Sequence, residues 1–188
     1  MTRVALALVH HPVLDRAGEV VTTAITNLDL HDMARSARTY GVHELFVVHP
    51  VEAQRLLAER IRDHWVEGSG KRRIPDRANA LEVLRIVPSL EDVYRALGGD
   101  AGRAGIELWT TAASARRGPV TAYSDARARM EQLDKPVLIT FGTGWGLAGE
   151  LVSSADVRLA PIHARIDSGY NHLSVRAACA IVLDRLFG

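Results

Sequence analysis

Short apolar runs alternate along the chain with segments whose apolar positions recur every three or four residues. Residues 3–9 are β-branched and aliphatic and read as a buried strand. A loop with His10, His11, Pro12 and residues 15–19 follows. Thr26, Asn27, Leu28 and Asp29 then offer capping groups ahead of Leu30, Met33, Ala34, Ala37 and Tyr40, a spacing that lines one helical face. Gly41 ends that helix. Residues 45–48 read as a second strand, closed by Pro50. Residues 51–65 return to helical spacing, with Leu56, Leu57, Ile61 and Trp65 as the expected apolar side.

Residues 68–73 are rich in glycine and positive charge and read as a loop; residues 78–83 suggest a short helix and 85–87 a third strand. Ser89 to Asp92 cap a helix reaching Leu97, and residues 98–105 read as a surface loop. Strands at 106–111, 137–141 and near 157–159, helices at 123–133 and 172–187, and a glycine-rich turn with a short helix after the strand at 137–141 complete the pattern. Strands alternating with helices predict a parallel α/β sheet covered on both faces. No internal repeat or boundary divides it, so one domain over residues 1–188 is expected.

Composition adds limits. Of 188 residues, 47% are hydrophobic and 24% charged, as in a soluble globular protein with a sizeable core. The apolar runs are too short to span a bilayer, and the first residues carry no secretory signal pattern. Cys179 is the one cysteine, so no internal disulfide forms; a cytoplasmic location is expected. The net charge of +1 gives no overall attraction to nucleic acid, but Lys71, Arg72, Arg73 and Arg77 cluster, as do Arg116 and Arg117. Such patches neutralise a few phosphates or simply face solvent.

Gly144, Gly146 and Gly149 match a dinucleotide-binding spacing, with Asp167 about 20 residues on. A dinucleotide unit opens a run of strand-helix repeats, whereas this turn comes near the close of the pattern, which disfavours a nicotinamide oxidoreductase. The turn still has chemical content. Glycines let backbone N–H and C=O groups approach a ligand at the carboxyl edge of a sheet.

Residues 137–147, Val-Leu-Ile-Thr-Phe-Gly-Thr-Gly-Trp-Gly-Leu, resemble the motif of the SPOUT (α/β-knot) superfamily in which a strand runs into Phe-Gly and closes with Gly-Leu. Residues 170–178, Tyr-Asn-His-Leu-Ser-Val-Arg-Ala-Ala, are similar to the Asn-Leu-Ser-Val-x-x-Ala signature opening that family's last helix. Leu159-Ala160-Pro161-Ile162 looks like the loop that begins the family's knot, and residues 27–35 followed by Tyr40-Gly41-Val42 look like its first motif. The glycine turn is one residue shorter than the common form and lacks its glutamate, with Gly144 and Trp145 in that place, which marks a divergent SpoU/TrmH-like member.

The resemblance implies an RNA methyltransferase with a C-terminal trefoil knot over about residues 137–188. It implies S-adenosylmethionine as cofactor, a homodimer, and tRNA or rRNA as substrate. It places the cofactor against Thr140, Phe141, Gly142, Thr143, Gly144, Gly146, Pro161, Ile162, Asn171, Leu173 and Ser174. Arg35 is the leading catalytic candidate, with Asp29 and Asn27 beside it. A SPOUT-like module that binds RNA or cofactor without catalysis is the alternative. His172 and Asp167 are further candidates for proton removal. The eight histidines show no metal-ligand spacing, and neither a phosphate-loop motif nor a nucleophile-elbow serine is present.

Overall fold

The computed structural model describes residues 2–111, 118–165 and 169–188. Arg116, Arg117 and Asp167, singled out from the sequence, lie outside the described residues. A six-stranded sheet carries the fold. Its strands are β1 (Val4–Val9), β4 (Glu44–Val48), β5 (Leu84–Val87), β6 (Glu107–Thr111), β7 (Val137–Gly142) and β8 (Val157–Leu159), in the order β5-β4-β1-β7-β6-β8. Every pairing in it is parallel. β7, late in the chain, inserts between β1 and β6, aligning Leu8 with Phe141 and Val9 with Gly142. The carboxyl ends of β1 and β7 therefore meet beside the glycine-rich turn.

Alternate residues of each strand face opposite sides. Val4, Leu6 and Leu8 join Val137, Ile139 and Phe141 in a core covered by α1 (Asn27–Thr39), α2 (Glu52–Val66), α4 (Pro75–Leu81), α6 (Tyr123–Glu131) and α8 (Val175–Phe187). Ala5, Ala7 and Val9 face the second core, under α5 (Leu90–Gly98) and α7 (Gly149–Ser153). Burial on both faces explains why the strands read as unbroken apolar runs.

α1 forms as its sequence dictates. The Thr26 hydroxyl accepts the Asp29 N–H at 3.2 Å as N-cap, Leu30, Met33, Ala34 and Ala37 are buried, and Gly41 takes a positive φ of 70° just past the end. α2 departs from expectation. Ala58 is buried and Ile61 and Trp65 pack on the core, but Leu56 and Leu57 are 47% and 43% exposed. The helix is turned so that the i, i+3, i+7 row of Ala58, Ile61 and Trp65 meets the sheet, and a small residue sets the close approach. Residues 68–73, expected as a loop, include the short helix α3 (Ser69–Arg73), and residues 99–105 form a 3₁₀ segment rather than an open loop.

The loop expected after β1 is a small antiparallel hairpin, β2 (Val13–Leu14) and β3 (Val20–Val21). The Asp15 carboxylate accepts the N–H groups of Ala17 and Glu19 at 2.8 and 2.9 Å and so organises the tip. No helix among the described residues is long and apolar enough to cross a membrane.

Candidate active site

The hairpin and the glycine turn brace each other. The Leu14 N–H donates to Gly146 O at 2.9 Å, the Trp145 N–H donates to Leu14 O at 2.8 Å, and the Ala148 N–H donates to Pro12 O at 3.1 Å. Gly144 sits at φ 59°, and a Cβ there would lie 2.7 Å from Leu14 O. A Cβ on Gly142 would meet Leu147 N at 2.7 Å. Both positions thus require glycine, one for its φ and both for close backbone approach.

Below the turn runs a partly buried polar network. The Thr143 hydroxyl donates to Val9 O at 3.2 Å and is in hydrogen-bond contact with the Thr23 hydroxyl. With one proton per hydroxyl, Thr23 donates to Thr143, and the His10 Nδ1–H, 3.0 Å away, donates to Thr23. His49 Nε2 donates to Thr23 O at 2.9 Å while its Nδ1 accepts the Val51 N–H at 3.0 Å, which fixes a neutral tautomer. His10 is fully buried, its Nε2 lacks a partner, and its ring lies 5.4 Å from that of His49. Burial, followed by the neighbouring His49, lowers the His10 pKa to about 4. His49 is also lowered, chiefly by burial. Two neutral histidines therefore wedge the base of the turn. The sequence showed only an adjacent His10-His11 pair.

Beyond the turn, a cavity of about 660 Å³ opens at the carboxyl edge of the sheet, within the usual range for ligand pockets. Phe141, Gly142, Thr143, Gly144 and Gly146 form one wall. Ile162, Asn171, Leu173 and Ser174 form the facing one. The Asn171 amide donates to Ile162 O at 3.0 Å, tying the loop after β8 to the approach to α8. The Ser174 hydroxyl accepts the Ala177 N–H at 3.3 Å and caps α8, whose first N–H groups face the cavity end of the helix. Two expected cofactor residues stand behind this wall rather than in it. Thr140 is buried and donates to Trp109 O at 3.0 Å, and Pro161 is buried next to Ile162.

The three catalytic candidates separate. Asp29 lines the cavity, but its carboxylate accepts from the Thr26 hydroxyl at 2.6 Å and from Arg176 Nη1 at 3.0 Å. Asn27, the first residue of α1, is exposed and outside the cavity lining. Arg35 is 63% exposed, sits 4.0 Å from Asp32, and lines a second groove of about 440 Å³ between α1 and α8. Ser174 and Arg176 border both spaces, so cavity and groove adjoin. Arg176 is the residue sequence reading passed over; it bridges Asp29 and, at 3.4 Å, Asp32. The available signal was an arginine in the first turn of a helix, where a cation opposes the dipole unless a carboxylate holds it. Among the described residues no cluster of metal-ligating side chains occurs, and none of Lys71, Arg72, Arg73 or Arg77 lines the cavity.

This geometry suits an adenosyl cofactor. An apolar and backbone wall can hold the base, hydroxyl and amide groups can hold its polar atoms, and Asp29 and Arg176 set the charge at one side. Comparison with known proteins agrees. The model of a family described as SAM-dependent RNA methyltransferase matches residues 3–188. An uncharacterized protein of Aquifex aeolicus is 37% identical over 98% of this chain and 88% of its own length. A tRNA (guanine-N(1)-)-methyltransferase of Nitratidesulfovibrio vulgaris is 42% identical over 97% of this chain, which spans 41% of that relative. Among solved structures, the SpoU methyltransferase AviRb of Streptomyces viridochromogenes superposes with a TM-score of 0.58 at 17% identity, covering 98% of this chain and 58% of that one. The chain belongs to the SAM-dependent RNA methyltransferase family and has the α/β fold, built on a parallel six-stranded sheet, of the SPOUT methyltransferases.

Proposed function

We propose that the cavity between the glycine turn and the start of α8 is the S-adenosylmethionine site, and that the methyl group passes from it to a nucleotide of structured RNA, tRNA or rRNA. One observation carries this reading. Two stretches about 30 residues apart in sequence, 141–146 and 171–174, face each other across one cavity at the carboxyl edge of the sheet. The Nitratidesulfovibrio relative is named for methylating guanine N1 of tRNA, but it is more than twice as long as the matched segment. We carry over RNA methylation and leave the acceptor atom open.

The bound cofactor supplies an electrophilic methyl group on a sulfonium. Held between residues 141–146 and 171–174, it would give that methyl to the acceptor and leave as the neutral thioether, with the acceptor's proton passing to water. The chain's own task is positioning. Gly142, Thr143, Gly144 and Gly146 bring backbone groups close, while Asn171 and Ser174 present polar side chains. Asp29 orients Arg176 at the edge of the cavity. Arg35, reaching into the adjoining groove, binds a phosphate or stabilises charge developing on the acceptor. Exposed Asn27 meets the RNA nearby.

The same groove, with Thr39, Tyr40 and Ala180 on its floor, is where we place the contact between two copies of the chain. Residues 137–188 form the trefoil knot in this reading. The insertion of β7 between β1 and β6 and the return of α8 onto α1, α6 and β7 support that path. The whole chain acts as one domain, on cytoplasmic RNA.

The test combines mass spectrometry of nucleosides from bulk RNA incubated with protein and S-adenosylmethionine with sedimentation of the protein alone. A new methylated nucleoside and a two-chain species are expected. Tight cofactor binding with no methylated product would favour the non-catalytic module.

A further inference from the structure

Every aromatic side chain of the chain falls among the described residues, and their exposure is uneven. Trp109, Phe46 and Phe141 are buried, Trp65 packs on the core, and Tyr40, Tyr94 and Tyr123 are partly buried. The exposed Trp and Tyr are Trp145, at 49%, and Tyr170, at 69%. These two come from separate segments yet flank one residue. His172 lies 4.8 Å from Trp145, ring centre to ring centre, at 75°, and 5.5 Å from Tyr170 at 65°. Trp145 and His172 also line the 660 Å³ cavity.

The backbone accounts for the position of Trp145. Its N–H is held by Leu14 O, and it stands between Gly144 and Gly146, both at positive φ. A turn braced this firmly by the hairpin presents the indole outward at the lip of the cavity. Burying such a ring is strongly favourable, so Trp145 and His172, exposed at the lip of a ligand cavity, suit a stacking occupant. Aromatic faces stack on any unpaired nucleobase, whereas bases paired in an A-form helix keep their faces covered. Arg158 also lines this cavity, as does Arg176, which is held by Asp29 and Asp32.

We propose that Trp145, His172 and Tyr170 form a stacking platform that takes an unpaired base of the RNA substrate and holds its nucleotide against the cofactor cavity. This rests on the cavity being the S-adenosylmethionine site. The substrate class is thereby narrowed to a nucleotide in a loop, a bulge or an extruded position. Of the three, Trp145 stands in the shortened turn where the related motif carries its glutamate.

The test measures binding of a labelled single-stranded oligoribonucleotide of about 12 residues, and of the same strand annealed to its complement, to the wild type, Trp145→Ala, Trp145→Phe and Tyr170→Ala. S-adenosylmethionine affinity is measured in parallel by calorimetry. Trp145→Ala is expected to raise the single-strand Kd by roughly 5- to 100-fold. Trp145→Phe restores most of that; Tyr170→Ala, outside the cavity lining, costs several-fold while duplex binding and cofactor affinity change by less than about twofold. The proposal is overturned if the alanine variants bind single-stranded RNA like the wild type, lose duplex binding equally, or lose cofactor in the same proportion, the last placing the indole in the cofactor wall. Absence of wild-type single-strand binding would also overturn it. A wild type that ignores S-adenosylmethionine but shows the stacking pattern would refute the cofactor assignment and retain the platform.

Discussion

The Arg176 guanidinium donates to the Asp29 carboxylate at 3.0 Å, joining the first turn of α8 to the first turn of α1 across 147 residues of sequence. Asp29 is 7% exposed and Arg176 is partly buried, so this ion pair is better shielded than those at the surface. It fixes one end of α8, and with it Ser174 and Asn171, relative to the sheet.

Arg176→Ala leaves the Asp29 carboxylate buried with the Thr26 hydroxyl and its own capping contact. A loss of about 1–3 kcal/mol is expected from urea unfolding. S-adenosylmethionine affinity should fall as well, because the cavity wall loosens. Asp29→Asn keeps the Thr26 contact and should cost less. Equal stability of Arg176→Ala and wild type would show that the pair does not anchor α8.

Gly144→Ala and Gly18→Ala separate conformation from crowding. Both glycines have positive φ, 59° and 87°, so alanine strains each by about 1–2 kcal/mol. Only at Gly144 does the added Cβ strike backbone, Leu14 O at 2.7 Å; at Gly18 nothing lies within 4 Å. Gly18→Ala should lower the melting temperature modestly and leave cofactor binding intact. Gly144→Ala should cut cofactor affinity by at least about tenfold.

Acid should weaken the fold through His10. Its folded-state pKa of about 4 lies below the unfolded value of 6.5, so the neutral ring contributes stability that is whole above about pH 6.5 and lost as pH falls toward 4. The contribution is on the order of 3 kcal/mol. Urea midpoints measured from pH 7.5 to 4 should fall less steeply for His10→Gln than for wild type. Parallel curves would exclude His10 as the source.

Arg35→Ala tests the catalytic assignment. The side chain is outside the cavity proposed for the cofactor and largely exposed, so the variant should fold and bind S-adenosylmethionine normally. Methyl transfer should drop by roughly 100-fold if the guanidinium meets the acceptor or a phosphate in the transition state. Full activity would remove Arg35 from the mechanism.

Much of this was readable from local pattern. Apolar runs at 3–9 and 137–141 announced strands buried on both faces, and Leu30, Met33, Ala34 and Ala37 gave the inner side of α1. Phe141 to Gly146 and Asn171 to Ser174 pointed to the cavity through a family likeness, since neither stretch alone specifies a ligand. What stayed hidden depends on distant partners. The hairpin has strands of two residues, too short for any periodicity to register. Leu56 and Leu57 looked like core because helical spacing gives a face but not which neighbour claims it. The Asp29–Arg176 bond and the His10, Thr23 and Thr143 network join residues up to 147 apart, and no local rule pairs them. Arg35 was legible as a motif residue, but its place in the groove beside the cavity required the packing of α8 on α1.

The most direct measurement of the central claim is a calorimetric titration of S-adenosylmethionine into the wild type and Gly144→Ala. One cofactor per chain in the wild type, with affinity lowered at least about tenfold in the variant, is the predicted result. No heat at millimolar ligand, or equal affinity in the two proteins, would contradict the assignment of the cavity.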